Sequence, residues 1–380
     1  MNIPDKFNSI RPYTPEEVPA AVHRMMSNPQ FQLALDYLFP KDDHQEIKEG
    51  LRRVKSNFEF QKFFMYRAIN SILKLSSDGL NLQHTERLAK NGPSVLLANH
   101  RDILLDSAIL QVVLVDLEME TSEITFGSNL MVNDFIIDFG KVNRMFTVHR
   151  EGSPREMLQH SKILSDYIRH TIQDKKLSSW IAQRKGRTKN GLDLTDTAVL
   201  KMLSVFDRKN PIEAYRQLNI LPIIISYEWE PCVLSKVREV YLSRKQRFKK
   251  QAGEDLNSVI KGIINYKGKI NMSFGIAVNT FIEKNRDSLT LQNIHQKVAT
   301  FIDQQIYENY HLYPNNYLAY DLLYDKKKYQ NQYDTDTNNK LHRELESLYE
   351  LLGDQNNEIR EIYLKLYANP LIQKLSLKKA

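Results

Sequence analysis

The chain has 380 residues, 42% of them hydrophobic, and a formal net charge of +7 from 53 lysines and arginines against 46 aspartates and glutamates. This content supports a sizeable core, so we expect a globular protein of one large domain with extensions, or of two to three modules. The single cysteine, Cys232, excludes an internal disulfide framework and a cysteine-rich zinc site, which favours a reducing compartment. The positive charge favours acidic partners, among them anionic lipid, phosphorylated substrates, acidic carrier proteins and nucleic acid.

The sequence has no apparent targeting or membrane-spanning segment. Its first residues lack the apolar core of a signal peptide, and no stretch approaches the roughly 18 continuous apolar residues of a membrane span. We therefore expect a cytoplasmic protein, with a peripheral position on the inner face of the cytoplasmic membrane as the alternative.

Residues 1–88 are predicted to form an N-terminal helical module. Thr14 followed by Glu17 has the pattern of a capping box, with Thr14 as the N-cap. The stretches PQFQLALDYLF and FEFQKFFMYRAINSILKLS continue with apolar residues at helical spacing.

Residues 89–285 have a different character, because short β-rich runs alternate with helical stretches. The predicted strands lie in SVLLAN, EITFGS, RMFTVHR, SSWIAQ, LPIIISYEW and KINMSFG. Such alternation predicts an α/β fold with a mixed sheet flanked by helices. Functional sites in such sheets gather at the carboxyl ends of the strands.

Residues 286–380 are predicted to form a C-terminal helical extension. Two helical patterns, TLQNIHQKVATFIDQQIYENY and LHRELESLYELLG, are joined by the polar stretch DKKKYQNQYDTDTNN, which is predicted to be a loop. The sequence assigns no function to this extension.

The stretch VLLANHRDILLDSAIL holds the first candidate site. His100 follows an apolar strand and precedes a predicted amphipathic helix, with Asp106 about one and a half turns into that helix. A carboxylate that reaches His100 Nδ1 would fix the tautomer and leave Nε2 free as a general base. The alternative is a capping or packing role for the pair.

Basic residues follow two further predicted strands. In SSWIAQRKGRTKNG a turn holds Gly186, Arg187 and Lys189, and in RMFTVHR the strand ends before Arg150. Guanidinium and ammonium groups at strand ends are well placed to hold a phosphate. The alternatives are a solvated basic loop and an ordinary surface ion pair.

Other patterns exclude some enzyme classes. The sequence has no G-x-S-x-G elbow, no G-x-G-x-x-G fingerprint and no P-loop, which excludes the usual serine hydrolase and dinucleotide or nucleotide sites. The basic cluster Ser243–Lys250, SRKQRFKK, is a candidate contact for anionic lipid or an acidic carrier, or else a solvated helix face.

Taken in order, these segments resemble the glycerolipid acyltransferase family (PlsC-like), which includes lysophosphatidate and glycerol-3-phosphate acyltransferases. NHRDILLD resembles its first motif, VNRMFTVHR the second, WIAQRKGRTKNG the third in its Gly-Arg form, and LPIIISYEWEP the fourth. The first motif departs from the family, because His100 and Asp106 are spaced H-x5-D where the family has H-x4-D. Asp102 is therefore an alternative partner for His100. In the third motif Gln183, Arg184 and Lys185 replace the commoner Pro-Glu-Gly sequence.

The resemblance implies an enzyme that transfers a fatty acyl group directly from acyl-CoA or acyl carrier protein, with no metal, no cofactor and no acyl-enzyme. His100, oriented by Asp106, would act as general base on the hydroxyl of a lysolipid such as 1-acylglycerol-3-phosphate. Arg150, Gly186, Arg187 and Lys189 would bind the acceptor. Peripheral contact with an anionic membrane is expected, and nucleic acid is not.

Three alternatives stay open at the level of sequence. The first is a soluble glycerol-3-phosphate acyltransferase, and the second is an acyltransferase for an amino-acid-containing lysolipid. The third is a basic membrane- or nucleic-acid-binding module without catalysis.

Overall fold

The computed structural model describes residues 3–245, 248 and 253–378. Of the basic cluster SRKQRFKK, residues 246, 247, 249 and 250 lie outside the described residues. The strands are β1 (Leu80–Gln83), β2 (Val95–Ala98), β3 (Glu123–Gly127), β4 (Met145–Val148), β5 (Ser179–Ala182), β6 (Leu221–Tyr227) and β7 (Ile270–Phe274).

Helices make up most of the rest of the described chain. They are α1 (Val18–Met26), α2 (Pro29–Leu38), α3 (His44–Arg52), α4 (Asn57–Phe60), α5 (Tyr66–Ser76), α6 (Thr85–Asn91), α7 (Leu105–Asp116), α8 (Asp134–Val142), α9 (Pro154–Gln173), α10 (Thr197–Leu203), α11 (Pro211–Leu218), α12 (Val233–Lys245), α13 (Glu254–Ile264), α14 (Val278–Lys284), α15 (Ile294–Asn309), α16 (Pro314–Tyr324), α17 (Thr335–Leu352) and α18 (Asn357–Ser376). No helix within the described residues combines the length and the apolar character needed to cross a bilayer.

The seven strands form one mixed sheet in the order β1-β7-β6-β2-β5-β3-β4. Strands β2 to β6 run parallel to one another, and β7 pairs antiparallel with β6. The predicted α/β class, with a mixed sheet and with helical parts at both ends, is confirmed. Because β2 to β6 are parallel, their carboxyl ends meet at one edge of the sheet.

The central strand β2 shows why the core has two layers. Val95 and Leu97 pack on one face with helices that include α9, α10, α11 and α15, and Leu96 and Ala98 pack on the other with α5 and α7. This alternation follows the two-residue repeat of a strand, and all four residues are buried because both faces are covered. The strand is thereby fixed firmly at its end, where the first candidate site begins.

Three predictions about the flanking segments were wrong. Strand β1 lies inside the segment predicted to be all helical and pairs with β7, whose residues are about 190 positions away. Helix α1 begins at Val18, not after Thr14, and the Glu17 carboxylate accepts a hydrogen bond from Thr14 N at 2.6 Å. Helix α17 begins at Thr335, inside the stretch predicted to be a loop, because Asp334 caps it.

Candidate active site

The end of β2 is anchored to the two neighbouring strands. The Asn99 side chain accepts a hydrogen bond from Ile225 N at 2.8 Å and donates one to Ile225 O at 3.0 Å, so it continues the pairing between β2 and β6. The carbonyl of His100 accepts a hydrogen bond from Thr188 N at 2.8 Å, in the loop that follows β5. His100 is therefore held at the middle of the carboxyl edge.

The His100 ring contacts Asp106 on one side and retains access to solvent. Nδ1 lies 2.9 Å from Asp106 Oδ2, and 12% of the His100 side chain is exposed. The His100 and Trp180 rings pack in a T-shaped arrangement, with their centroids 5.6 Å apart. Because a carboxylate only accepts hydrogen bonds, the neutral ring carries its hydrogen on Nδ1 and the lone pair on Nε2.

The Asp106 carboxylate accepts four hydrogen bonds. Oδ2 accepts from His100 Nδ1, from Arg101 N at 2.7 Å and from Asp102 N at 2.9 Å. Oδ1 accepts from the Tyr227 hydroxyl at 2.9 Å. Four donors match the acceptor capacity of a carboxylate, so the position of this side chain is fixed from every side.

Asp102 has a structural role next to the pair. Its Oδ1 accepts hydrogen bonds from Leu104 N at 2.9 Å and Leu105 N at 2.8 Å, and so caps the start of α7. Its Oδ2 is buried without a hydrogen-bond partner in the described structure. Burial, and after it the charge of Asp106, raise the pKa of Asp102 above its ordinary value. Of the two carboxylates, Asp106 is the one in contact with His100.

The helix differs from the prediction in two respects. Asp106 is the second residue of α7, not a residue one and a half turns into it. Helix α7 is also not amphipathic, because every residue from Leu105 to Leu114 is buried. The Asp102 cap closes the loop before α7, and Asp106 contacts His100 across the five residues between them.

Sequence reasoning missed a buried ionic network directly behind His100. The Arg101 guanidinium is fully buried between the carboxylates of Asp193 and Glu230. Lys236 also contacts Glu230, and its Nζ donates to Arg101 O at 2.8 Å. Two positive and two negative side chains thus neutralise one another, which is the condition for burying charges.

The C-terminal extension holds this network in place. Tyr367 of α18 accepts a hydrogen bond from Glu230 N at 3.2 Å, and Gln373 accepts one from Asp193 N at 3.3 Å. The ring of Tyr310 lies 5.0 Å from the Arg101 guanidinium carbon. The extension is therefore part of the support of the site.

Gly186 and Arg187 directly precede Thr188, whose N donates to the His100 carbonyl at 2.8 Å, so their loop runs beside the backbone of His100. Gly186 has a φ of +75°, and the space where a Cβ would stand is open. Arg187 is buried, and its Nη1 has no hydrogen-bond partner within the described residues. Its charge already acts on the neighbouring Asp102 carboxylate, and the unused donor is suited to an anionic ligand.

The other two predicted binding residues, Lys189 and Arg150, are less directly associated with His100. Lys189 forms an ion pair with Glu239 of α12, so its predicted role requires this pair to open. Arg150 follows β4, three strands from β2 and so about 14 Å across the sheet. Its side chain lies against Gly127, and its buried Nε has no partner in the described part of the chain. Both assignments stay predictions.

The helix start offers few free backbone donors. Asp106 accepts from the N–H groups of Arg101 and Asp102, and Asp102 accepts from those of Leu104 and Leu105. None of these four N–H groups is therefore free to stabilise an oxyanion.

Neither the known protein-family models nor the curated proteins contain a match to this chain. Among solved structures, the chain is similar to the 1-acyl-sn-glycerophosphate (LPA) acyltransferase PlsC from Thermotoga maritima, with a TM-score of 0.39 and 10% sequence identity. The match covers 77% of this chain and 94% of that chain. At this TM-score and identity, the likeness carries no information about function.

Proposed function

We propose that this protein is an O-acyltransferase of glycerolipid biosynthesis, with His100 as general base and a lysolipid such as 1-acylglycerol-3-phosphate as acceptor. The observation that carries the proposal is the contact between His100 Nδ1 and Asp106 Oδ2 at 2.9 Å. This contact leaves the lone pair of Nε2, on the other side of the ring, free to act as a base.

The surroundings of His100 favour a nucleophile supplied by the substrate. Within the described residues, the only hydrogen bond of the His100 ring is the one to Asp106. Cys232 is buried, and its Sγ lies 3.2 Å from Ser258 O. Burial, the largest cause, raises the pKa of the Cys232 thiol, which disfavours a thiolate nucleophile. Direct transfer without an acyl-enzyme fits this arrangement.

In the proposed reaction, Nε2 of His100 removes the proton of the acceptor hydroxyl, and the hydroxyl oxygen attacks the thioester carbonyl. The tetrahedral intermediate then expels the thiolate of CoA or of the carrier protein, and His100 returns the proton to that thiolate. The acceptor gains an ester bond and the donor leaves as a thiol. Arg187 would bind the acceptor's phosphate and so orient the hydroxyl, an effect that contributes strongly to such reactions.

The test is a transfer assay with the purified protein and labelled acyl-CoA or acyl carrier protein. The acceptor panel contains 1-acylglycerol-3-phosphate, glycerol 3-phosphate and a lysolipid that carries an amino acid. We expect transfer to the lysolipid phosphate. We also expect its loss in His100→Ala, with unchanged transfer in the control His342→Ala, whose residue is exposed on α17.

The outcomes separate the alternatives. Preference for glycerol 3-phosphate or for the amino-acid-containing lysolipid would change the acceptor but keep the reaction. Transfer that survives in His100→Ala would contradict the role of the histidine. No transfer from either donor to any acceptor would contradict the enzyme, and salt-sensitive binding to lipid or nucleic acid would then favour a binding module.

A further inference from the structure

Helix α13 crosses the carboxyl edge of the sheet in front of the candidate site. Near its start, Asp255 accepts a hydrogen bond from Asn129 Nδ2 at 2.9 Å, in the loop after β3. Near its end, Gly262 lies so close to Asp102 that a Cβ there would overlap the Asp102 carboxylate. These two points are seven residues apart, or about 10 Å along the helix. The inner face of α13 therefore spans the distance from the loop after β3 to the loop of His100.

The outer face of α13 carries aliphatic side chains in water. Leu256, Ile260 and Ile264 follow one another at four-residue intervals and are 36%, 47% and 50% exposed. They lie opposite the inner face, which presents the small residues Ser258 and Gly262. A helix on the surface of a soluble protein has the reverse arrangement, with its polar face outward. The outer face of α13 thus lacks a partner in the described structure.

Exposed apolar residues also stand near both ends of α13. Val132, 58% exposed, lies in the loop that contains Asn129. Leu75, 56% exposed, lies on α5 beside Ser76, which accepts a hydrogen bond from Lys267 just beyond α13. The segments that contact each end of α13 therefore also carry an exposed apolar residue.

Charges around this surface favour an anionic partner. Lys74, beside Leu75 on α5, and Lys261, on α13 itself, are exposed, and neither forms an ion pair within the described residues. The acidic residues of α13 contact other parts of the protein, Glu254 with Arg238 at 3.5 Å and Asp255 with Asn129. Lysines that flank an exposed apolar stripe match the composition of helices that lie in a membrane interface.

We propose that α13 lies on an anionic phospholipid bilayer, with Leu256, Ile260 and Ile264 in the boundary between headgroups and acyl chains. Three half-exposed aliphatic side chains offer far less than the roughly 800 Å² per partner that stable protein interfaces bury, which disfavours a second copy of the chain. An interfacial helix has no such minimum. This placement turns the His100 edge of the sheet toward the lipid. The inference deepens the proposed function and rests on it, because the bilayer would supply the lysolipid acceptor.

The first test measures binding of the full chain to vesicles by flotation. We expect binding to vesicles of equal parts phosphatidylcholine and phosphatidylglycerol, with less binding to phosphatidylcholine alone. The variant Leu256→Ser/Ile260→Ser/Ile264→Ser should bind at least about tenfold more weakly, because it lacks the aliphatic side chains whose burial in the lipid drives insertion. The matched control Leu33→Ser/Leu351→Ser, which also loses exposed leucines, should bind like the wild type.

A second test reports on α13 itself. The two native tryptophans, Trp180 and Trp229, are buried, so a new tryptophan on the surface has a distinguishable emission. In Ile260→Trp, addition of the mixed vesicles should shift emission to the blue, and brominated lipid should quench it. Leu33→Trp should show neither change. No shift at Ile260→Trp, or equal binding by the triple serine variant, would contradict the proposal.

The remaining outcomes are distinguishable from a failure of the proposed function. Transfer to water-soluble glycerol 3-phosphate or to a short-chain lysolipid needs no vesicle, so activity without vesicle binding would contradict only the docking of α13. Vesicle binding without transfer to any acceptor would contradict only the enzyme. Sedimentation as a dimer that the triple serine variant abolishes would assign the apolar face to a second copy and overturn the bilayer proposal.

Discussion

The Tyr227 hydroxyl donates a hydrogen bond to Asp106 Oδ1 at 2.9 Å, across 121 positions of sequence. Tyr227 ends β6, Asp106 lies in the first turn of α7, and both side chains are buried. Burial, and after it the charge of Asp106, raise the pKa of the Tyr227 hydroxyl well above its ordinary value, so it remains a donor throughout the physiological range. Tyr227 is thus a positioning residue for the pair of His100 and Asp106.

The variant Tyr227→Phe tests this role. It removes the donor but keeps the ring, and it leaves Asp106 Oδ1 unpaired in a buried site, which should cost about 1–3 kcal/mol of unfolding free energy. We expect kcat of acyl transfer to fall about tenfold, equivalent to about 1.4 kcal/mol, with little change in KM. The assay is steady-state transfer together with urea unfolding.

Tyr215→Phe is the matched control for this variant. Tyr215 is also buried, and its hydroxyl lies 2.6 Å from His295 Nδ1 on the far side of the sheet. We expect a comparable loss of stability with unchanged kcat. Equal kcat values in Tyr227→Phe and the wild type would show that the hydroxyl does not position Asp106.

Asp106→Asn and Asp102→Asn separate the two carboxylates. In Asp106→Asn an amide replaces the acceptor of four hydrogen bonds, so His100 loses the partner that fixes its tautomer. We expect kcat to fall at least about a hundredfold, since general base catalysis contributes on that scale. Asp102→Asn keeps the Oδ1 that caps α7 and removes a buried charge, so kcat should stay within about threefold of the wild type. The reverse order of effects would assign the orienting role to Asp102.

Arg101→Leu should destabilise the protein strongly. It leaves the carboxylates of Asp193 and Glu230 buried with only Lys236 as a counter-charge, and removal of one partner of a buried ionic network costs about 3–5 kcal/mol. The measurement is urea unfolding followed by circular dichroism.

Arg216→Leu provides the comparison for Arg101→Leu. It removes the exposed pair with Glu283, whose atoms lie 3.8 Å apart, and should change the unfolding free energy by less than about 1 kcal/mol. If both variants unfold at the same urea concentration, the network behind His100 does not stabilise the fold.

The sequence predicted those features that depend on local patterns. Short apolar or alternating runs predict six of the seven strands, β2 to β7, and His100 stands out because it follows such a run. Strand β1 has no such local pattern, because LNLQ has only four residues and is defined by its pairing with β7. The apolar pattern around Asp106 favours it over Asp102 as the partner of His100, because an unpaired carboxylate in an apolar helix is costly.

Contacts between distant residues could not be predicted in this way. Arg101 meets Asp193 and Glu230 across 92 and 129 positions, and no periodic pattern connects such residues. A signal was nevertheless present in NHRDILLD, where Arg101 follows a buried strand directly and must be paired if it is buried. Tyr227 gave a weaker signal, as a residue with a polar group at the end of a largely apolar strand.

Asp303 should make stability depend on pH. Burial is the main cause that raises its pKa from 3.8 to about 6, and Thr195 N donates to its carboxylate at 2.7 Å. Because the folded-state pKa lies above the unfolded one, this group's contribution to stability is fully present below about pH 4 and is lost as the pH rises through about 6. Asp303→Asn removes that dependence. Relative to the wild type, the variant should gain on the order of 2 kcal/mol between pH 4 and pH 7. Urea unfolding at both pH values measures the gain, and the exposed Asp287→Asn should show none. A difference between wild type and Asp303→Asn that is the same at both pH values would show that Asp303 titrates normally.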